Sequence, residues 1–313
     1  MIKNELKKNI LDWKFFIGLL FSIYLVWFLG KEFNLDNFKK LLFEINLFYI
    51  FSALSVLIIS VYFRAIRWKM LFDSKNNIGT KSLFEIQMIG YFGNNVLPLR
   101  IGEFIKSFIV GNQFNISKSK AFGTIVLERI LDAVGVLIIF FFSFIFSSYN
   151  YNFKYLYIIS IFILIVTFFS YYLKNIRFTN SKNNFIFNII NDIISGFTSL
   201  NNKNSFPVFL YTILIWLCYV LIVFLVQLSI NFDLSLFDSM FILIISTMWL
   251  AIPSAPAGIG TFEMGVNIAL GILGVTESLI EFSIILHSIT FFPYTIIGGC
   301  LFLKYYFNEN NKI

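Results

Sequence analysis

An all-α, polytopic integral membrane protein is the fold class this sequence predicts, and three observations predict it. Hydrophobic residues make up 58% of the 313 and charged residues only 13%, against about 25% charged in a typical soluble protein. Apolar runs of about 20 residues recur along the chain, the length a helix needs to cross a hydrocarbon core. Two further apolar stretches are each interrupted midway by Pro and Gly. With aromatics at 20% and 42 Phe, a water-soluble fold could not hide so much apolar surface. A nucleic-acid-binding module, a secreted disulfide scaffold and a Rossmann-type enzyme are excluded on the same ground.

From the start of the chain, residues 13–30 form the first predicted span, following Lys3, Lys7 and Lys8. A signal peptide has the same charged prelude. Trp13 to Gly30 is long for its apolar region, however, and Leu29-Gly30-Lys31 offers no cleavage pattern. Residues 46–63, 121–148, 154–173, 206–230 and 281–304 complete about six full spans. The interrupted stretches, 83–117 and 236–275, are each apolar in two arms too short to cross comfortably. Each is therefore predicted as a broken, re-entrant hairpin or a pair of short tilted helices. Between the halves, 174–205 places Lys174, Arg177 and Lys182 ahead of Phe185-Ile186-Phe187 and Ile189-Ile190. This reads as a cytoplasmic loop with an amphipathic interfacial helix.

Lys and Arg favour cytoplasmic loops. Placing 1–14, 64–82, 106–120, 174–205 and 304–313 inside gathers 18 of the 24 Lys and Arg there, and the opposite loops (31–45, 149–154, 231–238 and 276–281) hold 4. Both termini are then cytoplasmic. Stretch 83–117 enters from the inner side and 236–275 from the outer side. The breaks resemble each other: Pro98-Leu99-Arg100-Ile101-Gly102-Glu103-Phe104 against Pro256-Ala257-Gly258-Ile259-Gly260-Thr261-Phe262-Glu263, an offset of 158 residues. Helices 46–63 and 206–230, and 121–148 and 281–304, keep nearly that offset. The expectation is one integral membrane domain over 1–313, built as an inverted repeat of about 46–148 and 206–304.

Paired broken helices in opposite orientation are a transporter architecture, with the substrate site where the breaks meet. Pro98, Pro253 and Pro256 interrupt the helix ladder, and Gly102, Gly258 and Gly260 permit close approach or unusual dihedrals. Breaks that only re-aim a helix would have the same composition. Charges within apolar spans are expensive and point to function. Glu85, Arg100, Glu103, Glu128, Arg129, Asp132 and Glu263 lie there. Glu128 and Asp132 share a helix face at i, i+4, and Arg129 reaches Asp132 at i, i+3. The expected pocket sets Arg100 and Arg129 against Glu103, Glu128 and Asp132; a purely structural ion-pair network fits the same residues. The chain uses 19 Lys and only 5 Arg, so arginine within spans is selective. Its planar fork grips phosphate at two points, and lipid phosphate is the obvious anion. Arg64, Arg67 and Lys69 beside Trp68 read equally well as interfacial anchors. His287 is a proton relay or a packed neutral histidine, and Cys218 and Cys300 are small apolar packers. No HExxH, Walker loop, GxSxG or GxGxxG occurs, so no cofactor, metal or soluble-type catalytic residue is expected.

These motifs resemble the flippase-like transmembrane domain, also called the lysylphosphatidylglycerol synthase transmembrane region. That family shows N-N-x-L-P-x-R-x-G-E, then E-R-x-x-D on a helix, then P-x-x-P-x-G-I-G-x-x-E. This sequence supplies Asn94, Asn95, Leu97, Pro98, Arg100, Gly102 and Glu103; then Glu128, Arg129 and Asp132; then Pro253, Pro256, Gly258, Ile259, Gly260 and Glu263. The resemblance implies a multi-pass protein of the plasma (inner) membrane. In its best-known members this region is taken to move an aminoacylated phospholipid between leaflets, and stand-alone members have been linked to polyprenyl-phosphate sugars. No soluble synthase domain follows before Ile313, so lipid aminoacylation by this chain is not expected. The expected function is a flippase for an anionic phospholipid or a polyprenyl-phosphate-linked intermediate. Arg100, Arg129, Asn94, Asn95, Gly258 and Gly260 would bind substrate, while Glu103, Glu128, Asp132 and Glu263 balance charge or relay protons. The alternatives are a membrane-embedded transferase for a lipid-linked sugar, or a scaffold for a separate lipid-modifying enzyme. The partners expected are membrane lipids, not nucleic acid.

Overall fold

The computed structural model describes residues 13–31, 33–73, 77–97, 100–146, 185–201 and 203–310. Among the described residues the chain is helical, with no β-strand. In order, the helices are α1 (Trp13–Gly30), α2 (Leu35–Glu44), α3 (Leu47–Lys69), α4 (Thr80–Val96), α5 (Gly102–Phe114), α6 (Lys118–Phe146), α7 (Phe185–Phe197), α8 (Ser205–Ser229), α9 (Leu236–Leu250), α10 (Thr261–Ile272) and α11 (Leu279–Asn310). Helices α3, α8 and the Leu279–Asn308 part of α11 are long and apolar enough to cross a membrane. The span predicted at 154–173 and the helix break at Pro98 lie outside the described residues. Each interrupted stretch is two helices, α4 with α5 and α9 with α10. Segment 31–45, predicted as a loop, contains α2. Asn34 caps it, accepting the Asp36 and Asn37 N–H groups at 2.9 and 3.1 Å.

The chain forms two compact units. The first comprises Met1–Ile58, Tyr91–Gly102 and Cys218–Ile313. Here Ser235 and Asp238 start α9 with reciprocal side-chain-to-backbone bonds of 3.1 and 2.9 Å. Helix α10 folds back on α9 because Gly265 has no side chain: a Cβ there would lie 2.8 Å from the Ser246 Cα. The connection between them is strained, with Ala257 at φ 61 and Gly258 and Gly260 at φ 78 and 87. Ser22 of α1 steadies it, its Oγ accepting the Ala255 N–H at 2.7 Å. Pro293 lies inside α11 and removes a ladder donor there. The last turns of α4 clamp that region. Asn95 Nδ2 donates to the Phe291 carbonyl (3.3 Å) and Thr295 Oγ1 (3.0 Å), and Tyr91 stacks on Tyr294 at 4.2 Å.

The second unit comprises Ile59–Gly90 and Glu103–Leu217. Trp68, Leu83, Ile109 and Ile125 are buried in its core. The amphipathic helix predicted in the linker is α7, and it packs on the start of α6 through two glycines. A Cβ on Gly123 would stand 2.1 Å from the Ile193 carbonyl oxygen, and one on Gly196 would stand 2.1 Å from that of Lys120. The two backbones touch there.

Candidate functional site: a buried charge network

Three helices of the second unit carry charge into its interior at helical spacings. Helix α3 presents Arg64 and Arg67 at i, i+3; α5 presents Glu103 and Lys106 at i, i+3; α6 presents Glu128 and Asp132 at i, i+4, with Arg129 beside them. Asp132 is the hub. Its Oδ2 accepts Arg64 Nη1 at 2.8 Å and lies 3.3 Å from Arg129 Nη2, and its Oδ1 accepts Arg67 Nη2 at 2.8 Å. Glu128, fully buried, lies 3.5 Å from Arg67 Nη2 and accepts Lys106 Nζ at 3.4 Å. Gln87 Nε2 donates to both Glu128 oxygens at 3.4 Å. Lys106 Nζ also bonds Glu103 at 3.1 Å and lies 4.8 Å above the Trp68 ring, a cation–π contact. Arg67 Nη1 reaches Thr212 Oγ1 at 3.2 Å, and Trp68 Nε1 donates to Thr124 Oγ1 at 2.9 Å.

Two properties of this network bear on chemistry. Among the described residues, these ion pairs join four cations (Arg64, Arg67, Lys106 and Arg129) to three carboxylates (Glu103, Glu128 and Asp132), a formal excess of one positive charge within the pairs. That excess has an outlet. The Arg67 and Glu128 side chains are 0% exposed, whereas that of Arg129 is 44% exposed, with its Glu103 contact stretched to 3.9 Å. A guanidinium held at one edge and open at another can take a second anion in its planar fork.

The network includes residues that the sequence reading placed elsewhere. Arg64 and Arg67, readable as interfacial anchors and counted as cytoplasmic charges, are 5% and 0% exposed. They are not anchors, because α3 runs on to Lys69 and turns both inward onto α6. Lys106, counted with a cytoplasmic loop, is 2% exposed within α5. Gln87 and Thr212 were not singled out.

Of the predicted site residues, Glu103, Glu128, Arg129 and Asp132 come together here. Glu85, also expected to be functional, lies in the second unit too, and Arg100, Asn94, Asn95, Gly258, Gly260 and Glu263 lie in the first. Arg100, exposed and left-handed at φ 54, donates from its guanidinium to the Leu250 carbonyl at the end of α9. The residue after the first break thus meets the residue before the second. Asn95 is engaged with α11, while the buried Oδ1 of Asn94 has no hydrogen-bond partner among the described residues. Gly102 opens α5, and Pro256 opens a short 3-10 turn ending at Gly258, just after Pro253. Glu263 accepts the Gly260 N–H on Oε2 (2.7 Å) and the His287 Nδ1–H on Oε1 (2.5 Å).

The sequence is also similar to known membrane proteins. The chain is 26% identical over 217 residues to UPF0104 membrane protein MJ1078 of Methanocaldococcus jannaschii, covering 67% of this chain and 93% of the relative. It is 32% identical over 126 residues to UPF0104 membrane protein PH1989 of Pyrococcus horikoshii, covering 39% of this chain but only 36% of that relative. No solved structure matches. The family model described as the lysylphosphatidylglycerol synthase TM region matches residues 15–298, a range that takes in both broken helix pairs and the whole charge network. By that match, the chain belongs to the lysylphosphatidylglycerol synthase TM region family of membrane proteins.

Proposed function

We propose that this protein binds an anionic phospholipid or a polyprenyl-phosphate-linked lipid and moves it across the plasma membrane. The observation that carries the reading is the charge excess of the α3–α5–α6 network with Arg129 as its exposed member. Buried charge at membrane depth is costly and is retained where it serves a polar cargo or pathway. Arg129 holds the phosphate, Glu103 yields its long contact to the incoming anion, and Arg64, Arg67 and Lys106 hold the carboxylates in place. Arg100, in the first unit, is a phosphate contact of its own beside the break that it joins to Leu250.

In this reading the two broken pairs are oppositely inserted repeats and both termini are cytoplasmic. Backbone conformation supports the correspondence. The 158-residue offset aligns Arg100 with Gly258, and both are left-handed, at φ 54 and 78. Each break is followed by a glutamate in the first turn of the next helix, Glu103 in α5 and Glu263 in α10, two positions out of that register.

The test is leaflet-to-leaflet transfer of a fluorescent phosphatidylglycerol in liposomes carrying the purified protein. Transfer faster in wild type than in Arg129→Ala and Arg100→Ala supports the reading. Equal transfer in all three overturns it.

A further inference from the structure

We infer that Glu263 and His287 form a proton-binding site that couples the second helix break to pH, making the proton the coupling ion. The two charged sites differ in kind. Each carboxylate of the α3–α5–α6 network is paired with arginine or lysine, side chains whose ordinary titration lies well above the physiological range. Glu263 is paired with a histidine, the side chain whose ordinary titration falls between roughly pH 5 and 8. The first arrangement holds charge fixed, and the second can change it. His287 is also the one histidine in the chain.

The pair is placed to act on the break. One carboxylate joins α11, through His287 Nδ1, to the Gly260 N–H. At Gly260 the left-handed segment of Ala257, Gly258 and Gly260 gives way to α10. The Phe262 and Phe291 rings lie 4.7 and 6.1 Å from the imidazole and shield it from water. With a neutral imidazole, the pair carries one negative charge. With one proton bound, it is neutral overall. A net charge at membrane depth is expensive, so proton loading lowers the cost of moving this hairpin and proton release restores it. Among the described residues, the other charges on the packed elements are engaged or peripheral, Lys304 of α11 being exposed. Asp238 bonds Ser235 at the start of α9, Glu281 accepts the Asn34 N–H, and Arg100 donates to Leu250. Asp36, Lys39, Lys40 and Glu44 of α2 are exposed, and residues 19–30 of α1 carry no charge.

What the proton drives rests on the transport reading; the proton site itself does not. The experiment uses the full chain in lipid nanodiscs with ring-labelled histidine, read by NMR across pH. In parallel, Ser254→Cys in a Cys218→Ser/Cys300→Ser background reports access to the break, through its rate of modification by a membrane-impermeant thiol reagent corrected for thiolate fraction. The single histidine is expected to titrate in the folded protein, and the modification rate to follow the same curve. That pH dependence is expected to be lost in Glu263→Gln, which keeps an acceptor for Gly260. A histidine that does not titrate, or pH-dependent access that persists in Glu263→Gln, overturns the inference. Lipid transfer absent at every pH, with the histidine and the break still titrating together, overturns the transport reading and leaves the proton site standing.

Discussion

Arg67 and Asp132 are separated by 65 residues in sequence and 2.8 Å in space, with the arginine side chain wholly enclosed. The pair joins α3 to α6 and divides the network into a structural interior and a functional edge. Truncating Arg67 strips buried hydrogen bonds from Asp132 and Thr212 and leaves a cavity at a fully enclosed site, a loss of about 2–5 kcal/mol. Truncating a half-exposed member costs only about 0–1 kcal/mol. Arg67→Ala is therefore expected to lower thermal stability in detergent strongly, and Arg129→Ala hardly at all. Equal losses for both would contradict this division.

The αL backbone at Arg100 gives a second test. A non-glycine residue held there is strained by about 1–2 kcal/mol, so Arg100→Gly and Arg100→Ala differ in stability although both lose the bond to Leu250. The glycine variant is expected to be more stable than the alanine variant by about 1 kcal/mol, measured by chemical denaturation in the same detergent. The reverse order would show that the conformation is not held under strain.

The contact of α7 with α6 depends on two absent side chains. Gly123→Ala places a methyl group against the Ile193 carbonyl, and overpacking of this kind costs about 1–3 kcal/mol. Faster limited proteolysis within 185–201 is the expected readout, with Gly271→Ala, whose Cβ position is open, as the neutral control.

Much of this was legible in the sequence because its cause is local. Proline and glycine clustered in the middle of apolar stretches interrupt helices, as the lone Pro293 within α11 does not, so both broken pairs could be read directly. The i, i+4 spacing of Glu128 and Asp132 put them on one face before any fold was known. What escaped depended on where helices end and what they touch. Arg64 and Arg67 look like anchors because they follow an apolar run. Only the extension of α3 to Lys69 turns them inward. Lys106 is legible once α5 is drawn from Gly102, because Glu103 then faces it at i, i+3. Helix α2 was signalled by Asn34 with Asp36 in the first turn, a cap that its short, charged segment obscured. No local signal indicates that Gly196 meets the Lys120 carbonyl, since the contact is made by backbone atoms 76 residues apart.

Native mass spectrometry of the purified protein, identifying the lipids retained by wild type and by Arg129→Ala, tests the central claim most directly. The account predicts that wild type retains an anionic phosphate lipid above its abundance in the source membrane, and that Arg129→Ala loses that enrichment while keeping its fold. The same lipid profile in both proteins, matching the bulk membrane, would contradict it.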